Sequence, residues 1–237
     1  MQYTNQLNQP IGFPLENFVI PQMPNFKTLK GNYITLETLV PEHLIALHRA
    51  FLLNSNGSNW TYMAYGPFAN EKDFVDWALA SCFGSDPKFY ALISTQGAAG
   101  LASYMRIEPK MGCIEMGHIH LSPLLQKTRA GTEALILMIK WAFEAGFRRV
   151  EWKCDALNLP SRRAAQRLGL SYEGVFRQAL IYKSRNRDTA WYAATNKDWP
   201  ALNEAYRIWL NPANFNDEGR ELQKLSTLTA PLLVKQG

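Results

Sequence analysis

The 237-residue chain is 47% hydrophobic and 19% charged with a formal net charge of +5, a balance that suits one folded unit and excludes a disordered or fibrous chain. No apolar run approaches the roughly 18 residues of a membrane-spanning helix, and the Asn- and Gln-rich start, Met1 to Pro10, lacks the features of an export signal. Cys82, Cys113 and Cys154 stand far apart without metal-ligand or disulfide-framework spacing, so no metal is expected, and free thiols in a reducing, cytoplasmic setting are.

Residues 1–28 carry Pro10, Pro14, Pro21 and Pro24 among scattered aromatics, the composition of an extended arm. The main domain is read as 29–196. Tyr33 to Thr38 alternates as a first strand, and Pro41 opens a helix whose Leu44, Leu47 and Phe51 share one face. After an aromatic stretch with Trp60, Tyr62, Tyr65 and Phe68, Asn70 is placed to cap a second helix running to Cys82. Phe89 to Thr95, Leu101 to Ile107 and Cys113 to Leu121 follow with short links and predict an antiparallel meander.

Thr128 to Ala145 then shows helical periodicity ending before Gly146, and Val150 to Cys154 is a short strand. Strand, helix and strand at this spacing predict a crossover in which the strands at Cys113 and Val150 run parallel. A helix from Pro160 to Leu168, a hairpin of Tyr172 to Tyr182 with Asp188 to Ala194, and a C-terminal helix with a polar tail over 197–237 complete the order. The fold class is α/β, in the sense of a mixed α+β sheet flanked by helices.

Chemistry concentrates in the second half. Between Arg148 and Arg187 ten basic residues face three acidic ones, Glu151, Asp155 and Glu173, so this stretch is +7 and the remainder −2. Without a nucleic-acid motif beside it, the excess is assigned to a small polyanion and nucleic acid is not expected. The turn that enters the Thr128 helix, with Gly131 near its start, would offer free N–H groups and a positive dipole end to a pyrophosphate.

The segment Asn158-Leu159-Pro160-Ser161, the run Arg167-Leu168-Gly169, the Thr132-Glu133-Ala134 helix start, and Glu173-Gly174 with Arg187-Asp188 together resemble the GNAT acyltransferases. Within that superfamily they are similar to the RimJ and RimL ribosomal-protein N-acetyltransferases, over roughly residues 30–195. The resemblance implies a central sheet splayed open between the strands at Cys113 and Val150, where the pantetheine arm of acetyl-CoA enters. It implies transfer of an acetyl group to a primary amine, either a protein N-terminus or a small amine, by direct attack in a ternary complex. A CoA-binding regulatory module without turnover is the competing function, and a homodimer is compatible with either.

Carried over residue by residue, the resemblance assigns cofactor contacts to Gln126, Thr128, Arg129, Ala130, Gly131, Thr132, Asn158 and Ser161. Arg129 stands where relatives carry a glycine. Backbone groups of Ile119 and Leu121 are expected to hold the thioester and pantetheine. Where many relatives place a tyrosine this chain has Ala165, so Ser161 inherits protonation of the departing thiolate; a first-turn serine bonding the helix backbone is the competing reading. Asn158 doubles as a helix cap. For the amine's proton, Glu115 is the first candidate and His118 the second. Strand alternation sets Glu115 on one face and His118 and His120 on the other, unless a bulge at Gly117 changes the phase. Trp60, Tyr62 and Tyr65 are read as rings that grip the acceptor, or else as core beneath a long loop.

Overall fold

The computed structural model describes residues 3–237. Its first segment runs as an arm with a small hairpin of β1 (Tyr3–Thr4) and β2 (Pro10–Ile11). Phe26 anchors the arm by stacking on Tyr90 with ring centroids 4.3 Å apart. The main sheet then begins at β3 (Thr28–Lys30), which pairs with β4 (Thr35–Thr38). Helices α1 (Leu44–Leu52) and α2 (Glu71–Ser81) follow. The Asn70 side chain accepts the Asp73 N–H, as the sequence predicts.

The meander is β5 (Lys88–Ser94), β6 (Gly97–Glu108) and β7 (Cys113–Leu121). Next come α3 (Arg129–Glu144), β8 (Arg149–Asp155) and α4 (Leu159–Arg167). A hairpin of β9 (Ser171–Tyr182) and β10 (Arg185–Thr195) leads to α5 (Trp199–Leu210) and α6 (Leu225–Thr229). The tail expected to be merely polar thus contains a helix, with Leu225 and Thr229 fully buried.

Eight strands form one sheet in the order β3-β4-β5-β6-β7-β8-β10-β9. Every pair is antiparallel except β7 with β8, whose parallel pairing requires the α3 crossover between them. One face packs under α3, α4 and α5, where Ile114, Met116, Val150 and Trp152 meet Ile139, Ala165 and Leu202 in the larger core. The other face meets α1 and α2 only over the first strands, through Leu47, Phe51, Phe74, Phe89 and Leu101. Over β8, β10 and β9 that second face carries Glu151, Lys153, Asp155 and Thr189 beside the packed rings of Trp191 and Phe176.

One irregularity re-aims the centre of the sheet. Ser103 pairs with Gly117 but Leu101 with His120, so β7 holds one residue more than β6 across this interval. The surplus is a bulge whose left-handed residue is His118, with φ +50°. The bulge expected at Gly117 lies one residue later and on a non-glycine, a costly conformation that persists only where the surroundings impose it. Its consequence is the change of phase that the alternation allowed for: Glu115, His118 and His120 all reach the α1–α2 side.

Candidate active site

β7 and β8 pair only from Cys113 with Arg149 to Met116 with Trp152. Beyond that point Gly117–Leu121 has no strand partner on the β8 side, and the two strands diverge. The opening is therefore edged by unpaired backbone of β7, by the α3 start and by the α4 start.

At the α3 start, Thr128 is the cap: its hydroxyl accepts the Gly131 N–H at 3.0 Å and donates to the Leu125 carbonyl at 2.8 Å. The N–H groups of Lys127, Arg129 and Ala130 have no backbone partner among the described residues. Lys127 has φ +58°. Three free amides in one turn, at the positive end of a 16-residue helix, suit an anion. Gly131 is fixed by contact, since a Cβ there would run into the Leu125 carbonyl oxygen.

At the α4 start, the Asn158 side chain accepts the Ser161 N–H at 3.1 Å and is the helix cap. The Ser161 hydroxyl does not bond the helix backbone. It accepts the Trp152 indole N–H at 2.9 Å, and its own proton points to the Cys154 thiol, which burial pushes up and this bond pulls down.

On the α1–α2 side, Glu115 is 3% exposed and takes Arg106 Nη1 on both oxygens, at 2.7 and 2.8 Å, and Lys153 Nζ at 2.8 Å. Lys153 also reaches Glu151 at 2.8 Å and lies over the Trp191 ring. His118 Nδ1 is 3.0 Å from the Tyr65 hydroxyl. Burial, then the nearby Arg106 charge, push His118 down to about 4; burial does the same to His120. Burial pushes the Tyr65 phenol up, so Tyr65 is the donor in this pair and the neutral imidazole accepts at Nδ1.

Residues 34–171 match the acetyltransferase (GNAT) domain family. The chain belongs to the GNAT acetyltransferases. Among solved structures, a GCN5-related N-acetyltransferase from Brucella melitensis is 37% identical over 91% of this chain and 100% of its own, with a TM-score of 0.88. A protein described as a probable acetyltransferase of the GNAT family from Chromobacterium violaceum is 35% identical over 81% of this chain and 98% of its own, at 0.76. A RimL acetyltransferase for the α-amino group of ribosomal protein L7/L12, at 22% identity over 70% of this chain and 91% of its own, shares the fold at 0.58. No curated protein matches.

In this GNAT acetyltransferase the expected cofactor contacts fall together along the opening. Ile119 and Leu121 lie on the unpaired part of β7, and Gln126 to Thr132 form the α3 turn. Gln126 Nε2 donates to the Leu121 carbonyl at 2.9 Å and to Asn59 Oδ1 at 3.0 Å. The Arg129 guanidinium lies between the Phe215 and Tyr33 rings, 3.3 and 4.5 Å from their centroids. Thr132 is held by its own turn and by Arg167 Nη1 at 3.1 Å.

Two acceptor-side expectations need correction. Trp60 is 6% exposed and packs against Phe51, Phe68 and His120, so it is core and not a gripping surface. Glu115 sits in the cleft wall with both oxygens ion-paired to Arg106 and Lys153, so it is a charge-neutralised wall residue and not a free base. Tyr62 and Tyr65 do border the opening: Tyr62 bonds the Leu157 carbonyl at 3.2 Å across it. Sequence reading missed Asn59, Lys183, Thr189 and Trp191. Lys183 Nζ bonds the Trp60 carbonyl at 2.7 Å, so loop and hairpin tip jointly roof the gap.

Proposed function

We propose that the chain transfers the acetyl group of acetyl-CoA to a primary amine by direct attack in a ternary complex. The observation that carries this reading is the unpaired β7 edge facing the α3 amides, a slot for pantetheine that ends in a seat for pyrophosphate. The amine nitrogen attacks the thioester carbon, the carbon–sulfur bond breaks, and the electron pair leaves with sulfur. The sulfur takes its proton from the Ser161 hydroxyl, and the one proton that the amine gives up returns through solvent to restore that hydroxyl. Backbone N–H groups of Ile119 to Leu121 hold the carbonyl oxygen as charge develops on it.

His118 is the better placed of the two proposed proton acceptors, because Glu115 is consumed by Arg106 and Lys153. An imidazole titrating near 4 is neutral at pH 7, and its Nδ1 lone pair already accepts the Tyr65 hydroxyl, so it takes a proton only from Tyr65 as the phenol oxygen receives the amine's through water. The likeness to RimL supports placing the chain near the RimJ and RimL branch, with a protein α-amino group or a small amine as acceptor.

Calorimetry with CoA tests the reading. Binding is expected, weaker for dephospho-CoA and at raised salt, given the +7 stretch from Arg148 to Arg187. Absence of binding at millimolar CoA would end it. Release of free thiol from acetyl-CoA with a panel of amines and peptides separates an enzyme from a CoA-binding module.

Gly131→Ala probes the same seat. The added methyl must displace the Leu125 carbonyl, so CoA affinity should fall about tenfold or more while far-ultraviolet circular dichroism stays native. Unaltered affinity would put the phosphates elsewhere.

A further inference from the structure

On β10, Thr189 pairs with Asp155 of β8 and Trp191 with Lys153. Alternation puts Arg187, Thr189 and Trp191 on one sheet face with Lys153 and Asp155. Ala190 and Tyr192 point the other way, into the core under α3 to α5. The shared face is the α1–α2 side, toward which the segment with Trp60 and Tyr62 reaches.

Three atoms there, Arg187 Nε, Thr189 Oγ1 and Trp191 Nε1, are shielded from solvent and have no hydrogen-bond partner among the described residues. Thr189 is 4% exposed. A buried polar atom left unpaired costs about 1–3 kcal/mol, and such atoms are few in native proteins. Here three occupy successive same-face positions of one strand. Apolar side chains would serve a purely structural strand better.

The chemistry of the face narrows what would complete them. Arginine and indole nitrogens only donate, and a threonine hydroxyl can donate. The neighbouring carboxylates are already engaged. Asp155 accepts the Tyr182 hydroxyl and the Leu157 N–H, each at 2.8 Å, and Glu115 and Glu151 hold Lys153. A polyamine would find cations and donors facing it. A carbonyl or carboxylate oxygen would find partners.

Building on the acetyl-transfer reading, we propose that Arg187, Thr189 and Trp191 form the acceptor subsite. The acceptor amine is then one carried beside a carbonyl or carboxylate, as in an α-amino acid or a peptide N-terminus. The three atoms are closed to solvent, so the acceptor reaches them only as the side chains over them shift.

The test is calorimetric, on the full chain saturated with CoA. Alanylalanine, n-butylamine and spermidine are titrated into the parent protein and into Thr189→Val, Thr189→Ser and Trp191→Phe. The dipeptide should bind about tenfold or more tightly than either amine that lacks oxygen. Thr189→Val and Trp191→Phe should each weaken the dipeptide about fivefold or more, and Thr189→Ser should retain it. The melting temperature of Thr189→Val should stay level or rise, because valine replaces an unpaired hydroxyl with a methyl of the same shape. Equal or tighter binding of butylamine or spermidine overturns the proposal, as does parental dipeptide affinity in both Thr189→Val and Trp191→Phe. Failure of the parent protein to bind CoA in the first titration would remove the acetyl-transfer reading itself, and the subsite with it.

Discussion

Ser161→Ala is expected to lower kcat by about a hundredfold or more, with acetyl-CoA affinity nearly unchanged. The split follows from the hydrogen bonds at the α4 start. Asn158 caps the helix, so Ser161 is not needed to begin it. Its hydroxyl accepts from Trp152 and faces the Cys154 thiol, so its proton turns from that weak acceptor to the departing sulfur only as the carbon–sulfur bond breaks. The structural cost should be about 1 kcal/mol, for the indole N–H left without its acceptor. Single-turnover kinetics beside thermal melting separate the two effects. A variant that melts earlier but turns over at the parent rate would leave the thiolate to be protonated by water.

Acid should destabilise the protein well before its carboxylates are fully protonated. His118 and His120 titrate near 4 in the folded chain and near 6.5 when unfolded. Between those values the unfolded state binds more protons, so stability is fully present above about pH 6.5 and falls as pH drops toward 4. Each imidazole accounts for about 3 kcal/mol at most over that window. Urea midpoints at pH 7, 5.5 and 4 measure the decline, and His120→Gln should flatten it. The same slope in that variant as in the parent would show that His120 is not the group charging on unfolding. Because His118 of the folded chain titrates near 4, acetyl transfer should hold through the upper part of that interval and fail only near pH 4, where its ring becomes a cation.

Local signals carried most of the architecture. The period-2 run in Cys113–Leu121 and the helical period after Thr128 fixed β7, α3 and the parallel crossover, and hence the place where the sheet opens. What escaped depends on partners far apart in the chain. Glu115 reads as a free carboxylate until Arg106 and Lys153 arrive from neighbouring strands. Trp60 reads equally as a gripping ring or as core until Phe51 and His120 enclose it. The bulge suspected at Gly117 falls one residue later, on a left-handed histidine, and it moves two imidazoles to the face of Glu115. The unpaired atoms of Arg187, Thr189 and Trp191 had a faint signal in their i, i+2, i+4 spacing. Only the pairing of β10 with β8 shows that the face they line meets the opening.

One contact remote from the chemistry bears on how the cofactor seat comes into being. The carboxylate of Glu133, 2% exposed on α3, accepts the N–H groups of Asn32 and Tyr33 at 2.8 and 2.6 Å. Those two residues precede the stretch that matches the family, which begins at residue 34. A polypeptide cut to the matched stretch would leave this carboxylate without those two donors, one turn from the amides proposed for the phosphates. The cooperative unit is therefore larger than the recognisable domain. The contact spans about a hundred residues of sequence, so the order of the proposed phosphate seat depends on chain that lies ahead of the matched stretch as well as on the turn itself.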